Sequence, residues 1–338
     1  YGYAQCATAS CVSGTPVYAN TPFELGSVTK SFTATALLRI LDNPALNTSS
    51  LGALDLDAPI SQYLSTDPNF TLPATWANIT ARQLLSMSAG IEDFASNTLA
   101  WPGILTHVGM QPLLFQPGTG YCYSNPSFLL LGAVIQQLTQ TPYDQFMQQQ
   151  VFAPAGMTTT LIHTPTNQPS DLATGYAYDA STQMWTVPTP RPPLSSFSAG
   201  AIISNAVDLG AFVAALQNRA LLSTATYQLM WTDVALQDPS RAGDWGLGWE
   251  VATAAPYQVY RKDGGLPGIT SQVSLYEAGA AKVGVAIASN EDGVKAYVPL
   301  AADIIAAVLV TPVPNPPGAG IGCTPTPCFN CPTPTPAR

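Results

Sequence analysis

Phe23-Glu-Leu-Gly-Ser-Val-Thr-Lys-Ser-Phe-Thr-Ala34 is the stretch on which the reading of this chain turns. It holds Ser27 and Lys30, three positions apart, in a chain with only four lysines. Apolar residues follow at Phe32, Ala36, Leu37, Ile40 and Leu41, a helical spacing that stops before Pro44. On a helix that begins near Ser27, residues i and i+3 share a face, so the amine lies beside the hydroxyl. The helix start adds free N–H groups and the positive end of a dipole, both suited to an oxyanion. A lysine withdrawn from water in such a place can lose its proton and then take one from the serine. Ser-x-x-Lys is thus an arrangement that serves a serine hydrolase working without histidine. Alone it is weak: about 0.3 such pairs arise by chance around so few lysines, and most mark ordinary capped helices.

Two later stretches strengthen it. Phe115-Gln-Pro-Gly-Thr-Gly-Tyr-Cys-Tyr-Ser-Asn-Pro126 places Tyr123 and Asn125 in a Gly/Pro-punctuated loop that feeds an apolar helix over Pro126–Gln140. A loop before a rigid helix can aim a phenol and an amide at one site, although a tyrosine that merely pins a turn looks the same. In Tyr260-Arg-Lys-Asp-Gly-Gly-Leu-Pro-Gly-Ile-Thr-Ser271 a strand is expected to end in Lys262. Gly264 and Gly265 then let a substrate backbone approach closely. The plainer reading is a hairpin turn with a solvated lysine.

In this order and context, the three elements resemble the serine β-lactamase and penicillin-binding-protein superfamily. The likeness is nearest to its branch of AmpC-type β-lactamases, D-Ala-D-Ala carboxypeptidases, D-aminopeptidases and family VIII esterases. It runs from about residue 1 to 310 and takes in Ile79–Ile91, Pro154–Met157, Ser198–Ser204 with Asp208-Leu209, and Trp245–Trp249. The resemblance implies an α/β (α+β) fold: an antiparallel sheet flanked by helices and a mostly helical region, with the site between them. It also implies Ser27 as nucleophile, Lys30 as its proton partner and Tyr123 as general base and then acid. Asn125 would hold the acyl side of the substrate, and Lys262 stands where the family has Lys or His. The backbone N–H groups of Ser27 and Gly265 would form the oxyanion hole. Two departures stand out. The family domain normally starts some tens of residues earlier, with a helix and strand on the sheet. Asp263 replaces the Thr or Ser that helps receive a β-lactam or D-Ala carboxylate, and its charge is expected to repel one.

Composition bounds the rest. Charged residues are 9% of 338, against roughly 25% in average proteins, and the net charge is −9. Nucleic acid and anionic membranes are therefore poor partners; a small ester, amide or lactam is the expected one. No apolar run reaches the roughly 18 residues of a membrane span, and Val298–Val310 reads as a buried helix covering the sheet. Strands are expected over Gly246–Val251, Tyr257–Arg261, Ile269–Tyr276 and Val283–Ser289. Residues 160–200, with their aromatic and proline side chains, are expected to form an apolar substrate-facing wall. Residues 311–338 form a Pro/Thr/Cys-rich tail. Six cysteines suit an oxidising compartment, with Cys6–Cys11 paired, two of the three tail cysteines paired, and Cys122 free and packed. Cys328-x-x-Cys331 has no histidine near it, so neither metal nor cofactor is expected. Asn47, Asn69 and Asn78 head glycosylation sequons, and the chain reads as secreted or otherwise extracytoplasmic. Two rival readings stand beside this one. A Ser-His-Asp hydrolase has only His107 and His163 to draw on, without a Gly-x-Ser-x-Gly elbow. A catalytically silent binding protein on the same fold is the other.

Overall fold

The computed structural model describes residues 2–96, 98–190, 195–236, 245–292 and 297–309. The tail at 311–338, and the pairing expected among its cysteines, lie outside the described residues. Late in the chain, apolar runs separated by short turns fold as four strands: β1 (Glu250–Ala254), β2 (Tyr257–Leu266), β3 (Ile269–Ala278) and β4 (Ala281–Ser289). They form an antiparallel meander in the order β4-β3-β2-β1. Residues 269–276 of β3 are buried in unbroken succession, so this strand is covered on both faces. Val273 and Leu275 enter the main core. The opposite face carries Val259, Tyr276, Val283 and Val285 onto Ile305 of the helix Tyr297–Leu309, which covers the sheet as expected but, contrary to expectation, is buried only on that side: Leu300, Ile304 and Val308 are exposed.

The main core is built around two helices, α1 (Thr29–Asp42) and α2 (Asn125–Thr139). Phe32 of α1 stacks on Phe212, ring centroids 3.8 Å apart, from the helix α3 (Ala206–Gln217). The helix α1 is buried on nearly every side, its polar residues included. Those groups are satisfied inside the protein: Ser31 donates to Val28 O, Thr35 to Ser31 O, and Thr33 to Ser198 O. Burial of large apolar side chains such as Phe32, Leu37 and Ile40, at roughly 1.5–3 kcal/mol each, is what holds α1 in place. The short helix Ala81–Leu85 presents Leu84 and Leu85 to the same core and starts with a capping box between Thr80 and Gln83.

Three expectations are corrected. Residues Gly246–Trp249 do not belong to a strand, which begins at Glu250. Gly248 takes φ +81°, and a Cβ there would lie 2.5 Å from the Ala34 Cβ, so the chain kinks to pass over α1. The strand through Lys262 does not end there: β2 runs on to Leu266, pairing Lys262 with Val273 and Gly265 with Thr270. Cys122 is not a free thiol but disulfide-bonded. The Cys6–Cys11 disulfide forms as expected and closes the loop between strands Tyr3–Cys6 and Gly14–Pro16.

Candidate active site

Ser27 sits in a single 3-10 turn, Gly26–Val28, that hands the chain directly to α1. Lys30 follows in the first turn of α1 and is fully buried. Its Nζ donates to Ser27 Oγ at 3.0 Å, to Asn125 Oδ1 at 2.7 Å and to Ala199 O at 2.7 Å. These three acceptors come from three separate parts of the chain and together fix the amine beside the hydroxyl. The Tyr123 hydroxyl donates to Ser27 Oγ at 2.6 Å. Ser27 thus receives hydrogen bonds from the very groups picked out of the sequence.

The loop that carries Tyr123 is clamped on both sides by Met87. Cys122 N–H donates to Met87 O at 2.9 Å, and Ser124 N–H approaches Met87 Sδ at 3.4 Å. Met87 itself has φ +57°, a left-handed conformation uncommon for a residue with a side chain. Such local strain is characteristic of functional loops. Ser124 then caps α2 by accepting Ser127 N–H, and Pro126 sits in the first turn. Chain direction at Tyr123 and Asn125 is thereby set by a cap and a clamp.

From the sheet, Lys262 brings its Nζ to 5.4 Å from the Tyr123 ring and 5.3 Å from the Trp245 ring. It donates to Asp263 O at 2.9 Å and is 2% exposed, so it is no solvated turn lysine. Gly264 runs hard against the serine turn: a Cβ on it would fall 2.0 Å from Leu25 O. Only glycine permits this approach, which carries Gly264 and Gly265 past the residues around Ser27. Asp263 is half-buried between Lys262 and the glycines.

Burial shapes the charges. The Tyr123 phenol is pushed well above its ordinary value by removal from water; the bond to Ser27 opposes this, and the negative charges of Asp93, Glu250 and Asp263 add to it. Lys262 is pushed down by burial, against the pull of Glu250 and Asp263. Behind them Arg261 Nε meets Glu250 Oε2 at 2.7 Å, both side chains buried and directly opposed across β1 and β2. Burial holds the Glu250 carboxyl above its usual range, with Lys262 opposing. Glu250 was not singled out from the sequence; its one local signal is its place directly after Trp245–Trp249. Of the wall expected over residues 160–200, Ala199 reaches the site through its carbonyl, which accepts from Lys30, and Gly200 packs against Gly26 of the serine turn. Tyr178 and Trp185 pair instead in a hairpin whose Trp185 N–H bonds Ala9 O, and residues 191–194 lie outside the described residues.

The family model described as Beta-lactamase matches residues 1–310. The chain belongs to the beta-lactamase family. This is a family of serine hydrolases, and its relatives include penicillin-binding-protein-like proteins. PbpX of Bacillus subtilis, which carries a penicillin-binding-protein name, is 28% identical over 77% of this chain and 60% of its own length. The unguisins hydrolase ungD' of Aspergillus campestris is 29% identical over 81% of this chain and 53% of its own. The chain therefore spans only a little over half of these relatives. Among solved structures, the D-amino acid amidase from Ochrobactrum anthropi SV3 complexed with D-phenylalanine superposes with a TM-score of 0.67 at 24% identity. That match covers 82% of this chain and 80% of the amidase. No helix among the described residues is long and apolar enough to cross a membrane.

Proposed function

We propose that this beta-lactamase-family protein is an exported serine hydrolase that opens uncharged ester or amide carbonyls through an acyl-enzyme on Ser27. The carrying observation is the pair of donors on one oxygen: Lys30 Nζ at 3.0 Å and Tyr123 hydroxyl at 2.6 Å from Ser27 Oγ. In the reacting form Lys30 is the free amine: it keeps Asn125 Oδ1 and Ala199 O as acceptors and turns its lone pair to the Ser27 hydroxyl, whose proton it takes, while the buried Tyr123 phenol keeps its own. Tyr123 then passes its proton to the leaving group and takes the one held on Lys30, which restores both groups; in the second half Lys30 takes a proton from the attacking water and Tyr123 gives one to Ser27 Oγ as the acyl group leaves. The backbone N–H groups of Ser27 and Gly265 receive the oxyanion, Asn125 faces the acyl side, and Lys262 holds the region electropositive. Residues 1–310 are the hydrolase domain in this reading, and the Cys6–Cys11 disulfide supports export.

Substrate preference follows from Asp263 beside Lys262, Gly264 and Gly265. A carboxylate there disfavours ligands that end in a free carboxylate. Uncharged esters and amides rank first, D-amino-acid amides and peptides second, and true β-lactams third. The second rank draws on the named activities of the hydrolase and amidase relatives. Fluorophosphonate and fluorescent penicillin should label the protein covalently, and Ser27→Ala should lose both label and turnover while keeping its melting temperature. Turnover retained in Ser27→Ala would sink the mechanism, and absence of any label on the unmodified protein would favour a silent binding protein.

A further inference from the structure

Beyond the groups given roles above, one more carboxylate is bonded directly into the site. Asp93 Oδ1 accepts the backbone N–H of Asn125 at 2.8 Å and its side-chain Nδ2–H at 2.9 Å. A primary amide has one end that accepts and one that donates, while a carboxylate only accepts. With Nδ2 turned to Asp93, Oδ1 must face the other way, and there it meets Lys30 Nζ at 2.7 Å. The reverse flip would set amide hydrogens against those of the amine and an oxygen against a carboxylate, losing both bonds. Asn125 is also the first residue of α2, whose opening N–H groups have no partner within the helix. A negative charge there is favoured by the helix dipole, so Asp93 is held in place by the element it serves.

We propose that Asp93 is a positioning residue: it locks the Asn125 amide so that Oδ1 steers Lys30 onto Ser27 and the second Nδ2 hydrogen is kept for substrate. This rests on the hydrolase reading above. Asp93 lies 32 residues from Asn125 in sequence, in the loop that follows Ile91. Its effect is predicted to pass through Asn125 and not through folding.

The test is a double-mutant cycle on the rate of Ser27 acylation by a nitrophenyl ester, with melting temperatures measured alongside. Asp93→Ala should slow acylation by about 10–100-fold, the scale of a small misplacement of reacting groups, without lowering the melting temperature. Asp93→Asn, whose amide oxygen can still accept both N–H groups, should recover most of that loss. The Asp93→Ala/Asn125→Ala protein should acylate no more slowly than Asn125→Ala alone. A wild-type rate in Asp93→Ala, or a double mutant losing the product of both effects, would overturn the proposal. A crystal structure of Asp93→Ala supplies an independent readout: Asn125 Oδ1 unmoved on Lys30 refutes the lock, whether or not the protein is an enzyme. Absence of labelling in the unmodified protein refutes the hydrolase reading instead, and the crystallographic arm still decides on Asp93. Should Asp93→Ala fail to fold, Asp93→Ser, too short to reach either N–H, takes its place in both arms.

Discussion

Lys30 and Tyr123 converge on the same oxygen, and the lysine amine also lies 4.9 Å from the centre of the tyrosine ring. Moving a proton onto or off one of them changes the field at the other, so the two act as one unit. Tyr123→Phe and Lys30→Ala should each lower turnover of a nitrophenyl ester by roughly 10²–10⁴, the usual effect of removing a general acid or base. The double mutant should lose little more than the worse single mutant. Steady-state turnover of the four proteins decides it, and a double loss equal to the product would show that the groups act independently. That Ser27 and Lys30 belong together was legible because the contact is local, three residues along a chain whose apolar spacing already marks a helix. The remaining acceptors of Lys30 were not, since Asn125 and Ala199 lie 95 and 169 residues away.

The ends of helices and strands carry the next layer of information. Asp208 sits in the first turn of α3 and ties that helix to residues 158–160. Its carboxylate accepts the backbone N–H groups of Thr158, Thr159 and Thr160 at 3.1, 2.8 and 2.8 Å, together with two threonine hydroxyls. Burial pushes its carboxyl up, but these donors outweigh burial and leave it below the ordinary value of 3.8. A carboxyl lowered in the native state contributes stability that is present above the unfolded value and is lost as the pH falls through the native one. Asp208→Ala should therefore cost about 3 kcal/mol at neutral pH, because several buried donors lose their acceptor. The gap between the two proteins should close as the pH drops below 3.8. Urea unfolding at neutral and acid pH measures both, and a gap that widens in acid would contradict the assignment. A strand is expected to end in Lys262, yet β2 continues through Gly264 and Gly265, because the missing side chain at Gly264 lets the strand pass against Leu25 O beside the serine turn.

At the scale of the whole molecule, the net charge of −9 adds a long-range preference to the local one at Asp263. Catalytic efficiency on a short-chain nitrophenyl ester should exceed that on a cephalosporin at low salt. Raising the salt from about 0.01 to 0.5 M shortens the screening length from roughly 30 Å to under 10 Å, so the anionic cephalosporin should gain several-fold relative to the ester. Asp263→Thr should raise the cephalosporin further at every salt concentration. A cephalosporin cleaved faster than the ester by the unmodified protein would overturn this ranking. The amino-acid sequence by itself determined the order and kind of the elements, the Ser27–Lys30 pair, and the stretches that would supply Tyr123, Asn125 and Lys262. The elements and the Ser27–Lys30 pair follow from periodicity and short spacing, which the chain carries without folding; Tyr123, Asn125 and Lys262 follow from the resemblance of their stretches to the family. Only the tertiary structure decided that Lys262 is buried, that Glu250 and Arg261 stand paired behind it, that Cys122 is bonded, and that Asp93 accepts both N–H groups of Asn125. Each depends on which distant segments exclude water from a group and which donors or charges they set beside it, and neither burial nor a long-range partner is written in local spacing.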